Sequence, residues 1–280
     1  MNKKEDPLSV VVIGGSGSLA QTKLFPALFA LHCREFLPGN TSFFAFARTA
    51  MSDDEFRAKI SRNITSRYAP KESCARKIRE FLGKCRYVSG EYGSADSFLD
   101  LYQVMKSVEP GPQTNRMFYL AIPPSIFAYV AEALGRAGLV NCNTSRPWSR
   151  VVIEKPFGRD RESSDILSRQ MSMVFNEEQT YRIDHYLGKE VIQNLMVLRF
   201  ANLVFEPLWN SRFIERVEIQ WKEDIGVEKR GGYFDDYGII RDVVQNHLLQ
   251  ILALTAMEQP RGKDACHVRN EKVKALRKIR

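Results

Sequence analysis

The chain has 280 residues, a length that suits one large or two ordinary domains. Its 44% hydrophobic and 26% charged content fits a soluble globular protein, and no apolar run reaches the length that spans a bilayer. The net charge of +8 favours anionic partners, but the basic residues are dispersed with no basic-aromatic module, so no nucleic acid is expected and small phosphorylated ligands account for the charge as well.

The first seven residues are polar and carry no secretory apolar stretch. The five cysteines, Cys33, Cys74, Cys85, Cys142 and Cys266, contain no C-x-x-C pair, which argues against a disulfide framework and a zinc site. Free thiols and a cytoplasmic location are the expectation. Residues 9–13 (Ser-Val-Val-Val-Ile) form a β-branched apolar run and predict a buried parallel strand. A glycine-rich stretch follows at once, and Leu19, Leu24, Leu28 and Leu31 then give helical spacing. Residues 42–47 predict a second strand. Ser52 and Glu55 make a capping box, and residues 53–85 read as largely helical with a break near Ala69-Pro70. Residues 116–122 predict a strand ending in Pro123-Pro124, 125–137 a helix, 150–153 a strand and 161–175 helices. This alternation predicts an α/β fold, a Rossmann-type doubly wound parallel sheet, over residues 1–182. Beyond that boundary come a helix at 185–200, a partly alternating strand at 214–222, a loop at 230–233 and a long helix from Ile239 to about Met257. One strand makes no sheet, so residues 183–280 read as an incomplete α+β domain.

Gly14, Gly15, Ser16, Gly17, Ser18 and Leu19 join the first strand to the first helix. Glycines let the backbone approach a pyrophosphate, and a helix N-terminus offers it unpaired N–H groups. The second strand ends in Ala47-Arg48-Thr49, with no acid until Asp53. NAD readers place a carboxylate there, whereas a guanidinium bonds a phosphate through two parallel donors. The segment therefore predicts NADP, with Arg48 on the 2′-phosphate and Thr49 beside it. Further on, Arg182-Ile183-Asp184-His185-Tyr186-Leu187-Gly188-Lys189-Glu190 concentrates a histidine, a phenol and a lysine. On a helix, His185 and Lys189 share one face, a set that suits a phosphate. Of the four histidines, His32 reads as structural and His267 lies in a polar tail. His247, beside leucines within Gly238-Ile239-Ile240-Arg241-Asp242-Val243-Val244-Gln245-Asn246-His247-Leu248-Leu249-Gln250, reads on its own as a core residue.

Residues 182–190 resemble the RIDHYLGKE signature of the glucose-6-phosphate dehydrogenase family residue for residue. Gly14, Gly17, Leu19 and Ala20 align with that family's GASGDLA loop, with Ser18 in place of its aspartate. Tyr119-Leu120-Ala121-Ile122-Pro123-Pro124 is similar to its YLALPP segment, with Phe127 where many members have tyrosine. Glu154-Lys155-Pro156 matches the EKP motif, and residues 238–250 resemble GIIRDVMQNHLLQ. The resemblance runs from Val10 to Arg280, and the family's pattern continues much further. It implies oxidation of glucose 6-phosphate to 6-phosphogluconolactone with reduction of NADP, the first step of the oxidative pentose phosphate pathway. No metal is needed, and full-length members are homodimers or tetramers. By resemblance, His247 is the general base and Asp184 its carboxylate partner. His185, Tyr186 and Lys189 hold the substrate phosphate, and Glu223 and Asp242 bind sugar hydroxyls. Lys155 touches cofactor and sugar, and Lys23 is a cation near the cofactor. Asp242 and His247 lie five apart, about 140° around an α-helix, which favours Asp184 as the partner. Cys74 matches one regulatory cysteine of plastid members, with Ser66 where its partner stands, so no such switch is implied. Two alternatives stay open: an NADP oxidoreductase of another phosphorylated sugar, and a truncated non-catalytic nucleotide-binding subunit.

Overall fold

The computed structural model describes residues 6–64, 74–141, 146–224, 226–227, 231–262 and 264–279. The chain divides into two compact units, Met1–Ile183 and Asp184–Arg280.

The first unit is a six-stranded sheet, all parallel, with helices on both faces. In chain order its elements are β1 (Leu8–Ile13), α1 (Phe25–Cys33), β2 (Thr41–Ala47), α2 (Asp53–Ser61), α3 (Cys74–Gly83), β3 (Cys85–Ser89), α4 (Ala95–Val108), β4 (Asn115–Leu120), α5 (Phe127–Arg136), β5 (Ser149–Glu154), α6 (Arg161–Ser172) and β6 (Thr180–Ile183). The spatial order β3-β2-β1-β4-β5-β6 is the Rossmann order, reversing between β1 and β4. Strand side chains alternate between the two faces. Val11, Ile13, Phe44 and Phe46 thus join the core that includes residues of α4 and α5, while Val10, Val12, Phe43 and Ala45 join the one with α1, α2 and α3. Each fully buried Phe or Ile here removes enough apolar surface to contribute roughly 1.5–3 kcal/mol before entropy is counted. The capping box is present, with Ser52 Oγ accepting from Glu55 N and Glu55 accepting from Ser52 N.

The described residues of 53–85 are largely helical as expected, in α2 and α3, and depart from that only at the C-terminal end. The chain from Cys85 is the strand β3, whose Cys85, Tyr87 and Val88 are buried, and the expected break near Ala69-Pro70 lies outside the described residues. The first helix begins as a π-wound turn, Ala20–Leu24, before α1 takes over. Phe127 is fully buried in the core, so the family's tyrosine position points inward here.

The second unit comprises the 3₁₀ turn His185–Gly188, α7 (Glu190–Phe200), α8 (Gly231–Ile239), the π-wound segment Ile240–Leu248, α9 (Leu249–Ala256) and α10 (Ala265–Lys278). Two expectations fail in it. Residues 214–222 form no strand: they run largely exposed with no ladder, because the described residues of this unit offer no second strand to satisfy their N–H and C=O groups. The expected loop at 230–233 is helical from Gly231 onward, Arg230 lying outside the described residues. The long helix expected from Ile239 does run unbroken to Ala256, starting just after the non-helical Gly238 (φ 65), but its Ile240–Leu248 part is π-wound rather than α-helical.

Candidate active site

A crevice of the first unit opens at the reversal between β1 and β4, where open parallel sheets bind ligands. Its cavity, about 460 Å³, is lined by Gly14, Ser16, Gly17, Arg48, Tyr92 and Ile122 among others. Gly14 sits at φ +92, and a Cβ there would lie 2.3 Å from the Ala121 carbonyl oxygen. A Cβ on Gly15 would meet Ala45 Cβ at 2.5 Å. Only glycine fits such approaches, and it leaves backbone bare toward the cavity. Ser18 and Leu19 are exposed at the start of the helical turn, and Lys23 is exposed within it.

Arg48 lies exposed at the end of β2, its guanidinium 5.4 Å from the Tyr92 ring centroid. Burial raises the Tyr92 phenol above its ordinary range, and Arg48 partly offsets this. Tyr87 Oη donates to the Thr49 carbonyl at 2.6 Å, and Ser16 and Thr49 hydroxyls approach to 3.4 Å, which ties the β2 end to the glycine loop. Asp53 is turned away to structural work. Its carboxylate accepts from Tyr87 N at 2.6 Å and pairs with Arg57 at 3.0 Å. A glycine cradle at a strand-to-helix turn fits the pyrophosphate of a dinucleotide, and the cavity beside it is lined by both Arg48 and Glu91. Tyr119 Oη donates to Glu154 Oε1 at 2.5 Å across the ends of β4 and β5, and Lys155 follows directly at the carboxyl end of β5.

In the second unit, Asp184 caps the 3₁₀ turn, its Oδ1 accepting from Tyr186 N at 3.0 Å. The same oxygen lies 2.5 Å from His247 Nδ1, across 63 residues of chain. Arg199 of α7 closes that distance. It is buried and donates to the carbonyls of Leu254 and Met257 at the end of α9, and Trp209 Nε1 donates to the Thr255 carbonyl at 2.9 Å. These bonds tie α7 to α9, and α9 continues the segment that carries His247. His247 is only 2% exposed, and the Tyr186 ring stacks on it with centroids 4.0 Å apart. Lys189 Nζ lies 3.6 Å from the Tyr186 centroid, and His185 packs edge-on to both rings. With Asp184 ionised, Nδ1–H donates to Oδ1, and Nε2 keeps the lone pair of a base.

Two geometric premises of the sequence reading fall. Lys189 is extended (φ −71, ψ 131) and caps α7, so His185 and Lys189 share no helix face; Lys189 comes to the cluster across the Tyr186 ring instead. The segment holding Asp242 and His247 is π-wound, with i→i+5 closure. Residues five apart then fall on one side of it, not about 140° apart, and both side chains are buried. Glu223 is exposed on the ladderless stretch, away from any regular element. Sequence reasoning passed over Trp221, whose Nε1 donates to Tyr186 Oη at 2.5 Å, and Tyr92 beneath Arg48. Neither has a local signal, since each acts through a partner distant in sequence.

The family model described as glucose-6-phosphate dehydrogenase, NAD binding domain, matches residues 11–194, and that of the C-terminal domain matches residues 196–280. The chain belongs to the glucose-6-phosphate dehydrogenase family. The chloroplastic glucose-6-phosphate 1-dehydrogenase of Spinacia oleracea is 51% identical over 99% of this chain and 48% of its own length. The cytoplasmic isoform of Solanum tuberosum is 47% identical over 97% of this chain and 53% of its own. A solved glucose-6-phosphate dehydrogenase in complex with glucose-6-phosphate superposes with TM-score 0.85 at 38% identity, covering 99% of this chain and 57% of that one. The enzyme from Mycobacterium avium gives 0.82 at 33%, with coverage of 98% and 57%. The chain spans about half the length of the curated relatives it matches.

The expected cytoplasmic location does not stand within this glucose-6-phosphate dehydrogenase family. Its chloroplastic members are 50–52% identical to the chain, and cytoplasmic isoforms match lower, at 46–47%. No described helix is long and apolar enough to cross a membrane. Cys33, Cys74 and Cys85 are buried free thiols and Cys266 an exposed one; Ser66 and Cys142 lie outside the described residues.

Proposed function

We propose that this chain carries the nucleotide site and the catalytic dyad for oxidation of glucose 6-phosphate to 6-phosphogluconolactone, with NADP as the acceptor. The observation that supports it best is His247 Nδ1 at 2.5 Å from Asp184 Oδ1 beneath the Tyr186 ring. Oxidising a hemiacetal hydroxyl to the lactone carbonyl releases a proton and a hydride. His247 Nε2 accepts the proton from the anomeric hydroxyl, and Asp184 stabilises the imidazolium that forms. NADP, when bound, supplies the hydride acceptor. Lys189, His185 and Tyr186 offer two cation-capable groups and a phenol to the 6-phosphate. Asp242 and Glu223 are assigned to sugar hydroxyls, and Lys155 to the boundary of cofactor and sugar.

In the crevice, Gly14, Gly15 and Gly17 admit the pyrophosphate, with Ser16, Ser18 and Leu19 presenting N–H groups, and Arg48 holds the 2′-phosphate. The test is NADPH appearance at 340 nm with glucose 6-phosphate and with 6-phosphogluconate. Turnover with glucose 6-phosphate alone, lost in His247→Asn, is expected. Near-normal turnover of His247→Asn, or preference for 6-phosphogluconate, refutes the assignment.

A further inference from the structure

We propose that Asp184, His185 and His247 together form a site for a zinc-class divalent cation, one that silences the dyad when occupied. These residues offer one carboxylate oxygen and two imidazole nitrogens, all within 4.8 Å of one another. Two imidazoles and a carboxylate are the donor set of open zinc sites, which keep a further position for water or another ligand. Tetrahedral bonding at about 2.0–2.2 Å needs donors roughly 3.3 Å apart, so a separation as wide as 4.8 Å must close by about 1.5 Å, while the Asp184–His247 pair at 2.5 Å must open. His185 can supply that movement: it is exposed, on a single 3₁₀ turn, and meets His247 edge-on with centroids 4.8 Å apart.

Asp184 provides a second, independent pointer. Its Oδ2 is buried and has no hydrogen-bond partner among the described residues. A buried carboxylate oxygen without a partner costs free energy, and a bound cation removes that cost. Two cations oppose the site. Lys189 lies over Tyr186, and the half-buried Lys272, 3.0 Å from Gln250 Oε1, interacts electrostatically with Asp184. Their repulsion places the affinity well below that of structural zinc sites. Magnesium and calcium, which require oxygen ligands, do not suit a site with two imidazoles. Bound through Nδ1, on the Asp184 side of His247, the metal leaves the imidazole's proton on Nε2 and so removes the lone pair that accepts the substrate proton; this consequence rests on the proposed function, whereas the binding does not.

The experiment titrates the whole chain with zinc chloride in a calorimeter, with no nucleotide or sugar present. One site is expected, weakened about tenfold or more in His185→Ala, since even outer-shell partners of a metal commonly cost that much. His267→Ala, on the exposed histidine of α10, leaves it unchanged, and magnesium chloride gives no heat. Cobalt(II) then reports the donors: a visible band of nitrogen and oxygen ligation that disappears in His185→Ala. Absence of zinc binding, equal affinity in His185→Ala and His247→Gln, or a thiolate band removed by Cys266→Ser each overturns the site. An inactive chain that binds zinc through these residues refutes the functional reading alone. An active chain that ignores zinc refutes this one alone.

Discussion

Replacing Arg48 with alanine isolates the choice between the two dinucleotides. The guanidinium lines the same cavity as Gly14, Ser16 and Gly17 and lies 5.4 Å from the Tyr92 centroid, so its position is partly fixed before any ligand arrives. A hydrogen bond to a charged group contributes about 1.5–3 kcal/mol net. Arg48 is exposed, so two bonds to a phosphate are screened to well below their sum. We take about 2 kcal/mol, which is roughly thirtyfold in Kd. Calorimetry with NADP and NAD should therefore show NADP weakened about thirtyfold by Arg48→Ala and NAD changed less than about threefold. The NADP loss should shrink as salt is raised, because the interaction is exposed. Glu91 lines the cavity too and is the competing reader of the ribose. If Glu91→Gln moves the preference and Arg48→Ala does not, or if Arg48→Ala weakens both nucleotides equally, the reasoning about the β2 end is wrong.

Asp184→Asn keeps the shape of the dyad but removes the charge that holds the proton on Nδ1, and should lower kcat roughly 10²- to 10⁴-fold with little change in nucleotide Kd; retained kcat in a steady-state assay refutes the pairing. Gly14→Ala forces a side chain at φ +92 against the Ala121 carbonyl, with backbone strain alone on the order of 1–3 kcal/mol. Differential scanning calorimetry should show a lower melting temperature, and NADP binding should fail; a stable variant that still binds would refute the cradle. Burial raises the Cys85 thiol above its ordinary value of 9.0. The folded chain then holds a proton that the unfolded chain loses above pH 9.0, so this contribution is full below that pH and declines above it. The slope approaches about 1.4 kcal/mol per pH unit, and Cys85→Ala should reduce it in denaturant titrations; an unchanged slope refutes the attribution.

How much was legible from sequence follows from how far each element's cause lies along the chain. The run ending at Ile13, the glycines after it and the Ser52–Glu55 capping box depend on neighbours within a few residues, so composition and spacing reveal them. The motif around Asp184 and that around His247 were each recognisable. Their pairing is implied by the family resemblance, whereas the α-helical angle that favours it does not exist in the π-wound segment. The strand β3 escaped notice because its Cys85-Arg86-Tyr87 start carries no clean alternation, and pairing with β2 is what extends it. Residues 214–222 show the converse, since a plausible alternation makes no strand where no neighbouring strand accepts its hydrogen bonds.

The amino-acid order on its own determined the sheet-and-helix alternation, the bare turn for a pyrophosphate and the chemical kinds of side chain available for proton transfer. Tertiary structure alone decided that Arg199 would draw α7 onto α9 and so set an imidazole against a carboxylate 63 positions away, with Trp221 bonded to the Tyr186 hydroxyl and Lys189 over its ring. The reason is physical: buried polar groups must find partners, and which partners they find depends on packing between segments that no local pattern encodes.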